Sequence, residues 1–292
     1  MAKKHMGNGK FRAITLPISG VCLAIAIALP ILGDMFSTSI DTAMGLGQLH
    51  VEQLEGSQSW DTKYIDKKYN SKEESRVAAN ALSKQISDEG CVLLKNDGTL
   101  PLAKGSELVV FGDGYRAPTY GGKGSGNVDT SKDYVFSPEK GLKKHFTVNN
   151  AIAAITKDSG KVVDVKEATG TSEAVQGAGG MFANDFGLKG VPTSEYEGVK
   201  TQISGKTALI FITRGGGESY DIKNDAYEDG TRHNLALSAN EKATIKFLRN
   251  NGASKVVAIL VSSNVLELDV LQSGEYAADA ILSVGGPGAA GF

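Results

Sequence analysis

The sequence predicts an α/β fold, a mainly parallel sheet covered by helices on both faces, preceded by a transmembrane helix. Three observations carry this reading. The apolar run Ala208-Leu209-Ile210-Phe211-Ile212 breaks at Thr213-Arg214-Gly215-Gly216-Gly217, as a strand buried on both faces ends at a loop. Further short apolar runs alternate with helical periods after residue 72, and strands separated by helices imply parallel pairing. The run Ala13–Gly33 carries no charge.

Lys3, Lys4, Lys10 and Arg12 precede that uncharged run, which includes Leu23-Ala24-Ile25-Ala26-Ile27-Ala28-Leu29. About 20 apolar residues match a hydrocarbon core of roughly 30 Å. Positive charge on the near side predicts residues 1–12 in the cytoplasm, 13–33 in the membrane and the bulk of the chain outside. A signal peptide has a shorter apolar core, about 7 to 15 residues, and an A-x-A-like cleavage site. No such site follows Gly33. An uncleaved anchor is therefore favoured over a cleaved signal, which would make the domain secreted. Pro17, Gly20 and Pro30 are of a kind that membrane helices tolerate. The weak, polar pattern of residues 34–59 reads as a tether, and 60–292 as the domain.

Within that domain a helical period runs from Lys72 to Asp88 through Val77, Ala81, Leu82 and Ile86. Cys91 is expected in a buried strand, Leu108–Phe111 in a strand ending at Gly112, and Pro138–His145 in a short helix. Asn240–Asn250 reads as a helix with Ala243, Phe247 and Leu248 inward, closed by Gly252. Lys255–Val261 and Ala280–Val284 finish as strands. Cys22 and Cys91 lie in different environments and are expected as free thiols. The apolar neighbours of Cys91 would raise its pKa and argue against a nucleophile.

Composition narrows the function classes. The 292 residues, 41% of them hydrophobic, suffice for one sizeable α/β core. A net charge of −2 without a basic stripe gives no footprint for nucleic acid. Four histidines, none spaced with carboxylates in a zinc pattern, imply no metal site, and no cofactor is implied. His233 reads as a surface or supporting residue. The 36 glycines cluster at 121–126, 177–180, 215–217 and 285–291, which suits a loop-built site.

Glu218 stands out because loops at the carboxyl ends of parallel strands are where open α/β sheets bind ligands. The glycine loop Gly121–Gly126 has a rival reading as a phosphate cradle. It lacks the G-x-x-x-x-G-K-[ST] order, and residues 127–135 do not read as a helix opening at the loop.

Four segments, in order, resemble one family. Glu89-Gly90-Cys91-Val92-Leu93-Leu94-Lys95-Asn96-Asp97-Gly98-Thr99-Leu100-Pro101-Leu102 is similar to the start of the second, α/β sandwich domain of family 3 glycoside hydrolases, the β-glucosidase family. Tyr120–Val128 resembles its glycine and serine loop, Arg214–Asp221 its R-x-x-G-E-x-x-D loop, and Ala280–Gly288 its closing strand and turn. The resemblance implies a retaining β-glucosidase-like hydrolysis of O-glycosidic bonds, in which an acid and a nucleophile stand about 5 Å apart. It implies an aspartate nucleophile on a separate (β/α)8 barrel and an acid/base glutamate on the sandwich. No segment before Trp60 would supply that barrel, and Ala289–Phe292 falls inside the expected last crossover of the sandwich. The barrel is accordingly expected downstream or as a separate partner, and β-linked glucosides or oligosaccharides as substrates.

Glu218 is the expected acid/base. Glu228 is the alternative, because some members carry the glutamate in an E-G-x-D-R-x-x-L context; here Glu228-Asp229-Gly230-Thr231-Arg232-His233-Asn234-Leu235 disturbs that spacing. Lys123 and Ser125 are expected sugar donors. Arg214 and Asp221 are expected to bind sugar hydroxyls, to position Glu218, or to brace the loop. The alternative function is a non-catalytic carbohydrate-binding remnant tethered to the membrane.

Overall fold

The computed structural model describes residues 8–44, 55–59, 67–122, 126, 128–165, 188–216 and 226–292. The chain divides into two compact units, Met1–Lys67 and Lys68–Phe292.

The first unit is dominated by helix α1 (Asn8–Met35), 28 residues with both prolines inside it and none of its residues buried. Its most apolar 18-residue window has a mean hydropathy of 2.3. At 1.5 Å per residue it measures about 42 Å, longer than a hydrocarbon core. The short helix α2 (Ser37–Met44) follows, so the expected tether begins with helix.

The second unit opens on α3 (Lys72–Gly90), whose first turn is capped by Ser71 accepting from the Glu74 amide. Then come β1 (Val92–Asn96), β2 (Glu107–Phe111), α4 (Asp113–Arg116), α5 (Pro138–Leu142), β3 (Thr147–Val148) and α6 (Asn150–Lys157). Two short strands, β4 (Val163–Val165) and β5 (Leu188–Gly190), form a small antiparallel sheet. A 3-10 helix (Thr193–Gln202) leads to β6 (Thr207–Arg214), α7 (Ala239–Asn250), β7 (Lys255–Ser262), α8 (Asp269–Gln272) and β8 (Ala280–Ser283).

The main sheet has the order β1-β8-β7-β6-β2-β3. Every neighbouring pair is parallel except β1 with β8, whose register slips between Leu93 and Lys95. Alternation along β6 explains why its sequence is apolar throughout. Ala208, Ile210 and Ile212 join one core with Tyr196, Ile245 and Leu248, while Leu209 and Phe211 join the other with Tyr115 and Val148. Both faces are thus packed, as a parallel sheet requires.

Three local readings differ from expectation. The apolar period of α3 faces solvent: Val77, Leu82 and Ile86 are 59%, 56% and 62% exposed. Its covered side carries Ser75, Ala78, Asn80, Ser83 and the buried Ser87. The cause is close approach, because a Cβ built on Gly291 would stand 2.1 Å from Ser87 Oγ, so only a small side chain fits there. Cys91 caps α3 and is only partly buried, since β1 is an edge strand with most of its side chains exposed. In α7, Ala243 is exposed, and Thr244 and Ile245 join Phe247 and Leu248 on the inward face.

Candidate functional site

The chain leaves β2 for β3 on one side of the sheet, whereas β6, β7 and β8 progress to the other. Strands β2 and β6 are neighbours, so the order reverses between them. A crevice opens at the carboxyl ends of strands at such a switch point. Here a cavity of about 380 Å³ lies there, bounded among the described residues by α4, the following loop to Gly122, Thr213–Gly215 and Lys189. Its size falls in the roughly 300–1,000 Å³ range of small-molecule sites.

Backbone geometry shapes its floor. Gly112, directly after β2, has φ +91, and a Cβ there would meet the Phe211 carbonyl oxygen at 2.3 Å. Only glycine lets the chain turn so tightly against β6. The loops are then tied down. Thr119 and Thr213 share a hydroxyl–hydroxyl bond of 2.9 Å, and the Thr119 amide donates to Thr213 Oγ1 at 3.2 Å. Asn264 Nδ2 donates to the Gly215 carbonyl at 2.8 Å, fixing the first residue after β6. The Gly288 amide donates to the Tyr120 carbonyl at 2.6 Å, bringing the turn after β8 to the same rim.

Arg214, the last residue of β6, is 3% exposed. Its five N–H groups meet five acceptors: the Thr213, Asn234 and Ala236 carbonyls and both carboxylate oxygens of Glu241, each of the last two at 2.8 Å. Such a two-pronged pair is strong and directional. Glu241 also completes the capping box of α7, accepting from the Ser238 amide at 2.8 Å while its own amide donates to Ser238 Oγ. Burial by itself would raise the Glu241 carboxyl, but the charge and hydrogen bonds of Arg214 outweigh it and hold the group below its ordinary value. One carboxylate therefore joins the end of β6 to the start of α7.

A second pair lines the cavity. Arg116 Nε and Nη2 both donate to Asp113 Oδ1, at 3.0 and 2.5 Å. Burial raises the Asp113 carboxyl above its ordinary value, with Arg116 pulling against the shift. Sequence reasoning passed over this pair. The available signal was Gly112-Asp113-Gly114-Tyr115-Arg116, charges set immediately after a strand that ends at glycine.

The expected site residues separate into two groups. Glu218, Asp221, Lys123 and Ser125 lie outside the described residues. Arg214 is at the cavity wall, with its guanidinium fully engaged by protein acceptors as above. Glu228 is exposed on a turn closed by the Gly230 amide donating to the Tyr227 carbonyl, and is not among the residues lining the cavity. His233 Nε2 is 3.1 Å from Glu267 Oε1, a supporting contact. Among the described residues no cluster of His, Cys, Asp and Glu is arranged to hold a metal ion.

Comparison with known proteins agrees with the architecture. A β-glucosidase of Rhizobium radiobacter is 34% identical over 102 residues, 34% of this chain and 12% of the relative. β-Glucosidase 3B from Thermotoga neapolitana, solved with glycerol, matches with a TM-score of 0.53 and 24% identity, over 76% of this chain and 29% of that one. A β-glucosidase from Paenibacillus barengoltzii matches at 0.54 and 22%, over 72% and 21%. The chain thus spans 12% of the curated relative and under a third of these two structures. Residues 91–292 match the model of the glycosyl hydrolase family 3 C-terminal domain. The chain belongs to glycosyl hydrolase family 3, through its C-terminal domain.

Proposed function

We propose that this chain supplies the acid/base and part of the sugar-binding surface of a retaining β-glucosidase-like glycosidase, with the nucleophile on a (β/α)8 barrel. Among the described residues there is no such barrel. The observation that carries the reading is the end of β6. Arg214 is locked to Glu241, Gly215 is held by Asn264, and the cavity opens beside both. A loop launched from so rigid a stem can present Glu218, in the R-x-x-G-E-x-x-D pattern, to a bound glycoside. Arg214 is then a positioning residue, and Lys123, Ser125 and Asp221 supply polar contacts to the sugar. Glu228 is the second choice for the acid, from its less regular motif.

A general acid acts near neutrality when its carboxyl is partly desolvated. Closure of the loop against a barrel and a sugar would provide that, so the chain alone is expected to be inactive. The β-glucosidase relatives make β-linked glucosides the first substrates to try. Helix α1 is proposed to anchor the chain in a membrane with the domain outside the cytoplasm; a cleaved signal would release it instead.

The test is hydrolysis of an aryl β-glucoside by this chain alone and by the chain joined to a family 3 barrel. Activity only in the joined form supports the split site. Sugar binding without hydrolysis in both forms supports a carbohydrate-binding remnant, which the cavity's presence within this one unit favours as the second reading.

A further inference from the structure

Among the described residues, the charged groups around the cavity are paired. Asp113 is bonded to Arg116, and Glu241 to Arg214. Lys189 lies 3.1 Å from Asp164. Paired charges on these described residues give no selective hold on an anion or a cation, and suit a neutral ligand rich in hydroxyl groups.

The two pairs are not equivalent. Arg214 has no N–H left over, whereas Arg116 spends only Nε–H and one Nη2–H, both on Asp113 Oδ1. Among the described residues, Oδ2 of Asp113 and Nη1 of Arg116 take part in no hydrogen bond. Both side chains are part-exposed, 14% and 21%, and line the cavity. An acceptor oxygen and donor N–H groups of one ion pair are thereby left over on two residues that line the same cavity. Two adjacent hydroxyls of a sugar ring offer the complementary set, one donating and its neighbour accepting.

We propose that Asp113 and Arg116 form a clamp for a vicinal diol of a neutral sugar ring, with Asp113 Oδ2 accepting from one hydroxyl and Arg116 Nη1 donating to the next. The ion pair holds both groups in place before the ligand arrives, which lowers the ordering cost of binding. This assignment rests on the glycosidase reading for its ligand class, but not on Glu218 or on any chemical step.

The experiment is equilibrium binding of D-glucose and its 2-, 3-, 4- and 6-deoxy analogues to the full chain in detergent micelles. It compares the unsubstituted protein with Asp113→Asn and Arg116→Gln, each checked for folding by circular dichroism. Losing a hydrogen bond to a charged group weakens binding on the order of 10- to 100-fold. Both variants are expected to show that loss toward glucose. Two deoxy analogues lacking neighbouring hydroxyls should bind the unsubstituted protein as weakly as glucose binds the variants, with no further loss when ligand and protein changes are combined.

Additive losses, or variants that bind glucose like the unsubstituted chain, would overturn the clamp while leaving the glycosidase reading intact. Absence of glucose binding to the unsubstituted chain would also overturn it. The glycosidase reading stands or falls separately, on aryl glucoside hydrolysis and the Glu218→Gln variant. If one variant does not fold, the other and the deoxy series decide the matter.

Discussion

Glu241 serves two elements at once, as the third residue of the α7 capping box and as the partner of Arg214. Removing one member of a buried pair strands the other's charge, so Arg214→Met is expected to cost about 3–5 kcal/mol in urea unfolding. Arg214→Met combined with Glu241→Leu should cost less than the sum of the single changes, because no buried charge remains. The pH dependence has a definite sign. Glu241 is held below its ordinary value of 4.5 in the folded chain. Its stabilisation is complete above that value and is lost as pH falls through the lower folded value. The stability gap between the unsubstituted protein and Glu241→Gln should therefore narrow as pH drops from 7 to 3. Asp113, raised by burial, works in the opposite sense, costing stability as pH rises past its ordinary 3.8. At this scale the sequence showed the motif around Arg214 but not its partner. Glu241 lies 27 residues further on, and only the packing of α7 against β6 brings the two together.

Elements were more legible than residues where burial dictates composition. Strands β2, β6 and β7 sit between two cores, so their apolar runs announce them without any alternation to confuse the reading. Helix α7 was equally plain, although Ile245 rather than Ala243 faces the core. Helix α3 was found from its apolar period, yet that period is turned to solvent, and on its covered side the buried Ser87 meets the turn at Pro287–Gly291, where only a small side chain fits. Periodicity locates a helix; it does not say which face is covered when the neighbour comes too close for large side chains. The energetic consequence is measurable. Leu248→Ala, in the core, is expected to cost about 2–5 kcal/mol. Leu82→Ala, on the exposed stripe of α3, should stay within about 0.5 kcal/mol in the same urea titration.

For the whole molecule, sheet order explains why the cavity is where it is. The reversal between β2 and β6 leaves a crevice that neither strand's helices cover, and glycine at 112 lets the chain turn beside it. That placement follows from topology, which no local pattern in the sequence contains. The family was legible because its four segments fall on parts of the fold with fixed roles: the α3–β1 entry, the loop after β2, the end of β6, and β8 with its turn. The most direct measurement is hydrolysis of p-nitrophenyl β-D-glucoside by the chain joined to a family 3 barrel, with and without Glu218→Gln and with azide added. Glu218→Gln is expected to lower kcat by about 10²–10⁴, because water then attacks the covalent intermediate without a general base, and azide is expected to restore turnover as a β-glucosyl azide, since an intact nucleophile still forms that intermediate. A Glu218→Gln enzyme that keeps its activity, or one that azide does not rescue while Glu228→Gln shows both effects, would contradict it.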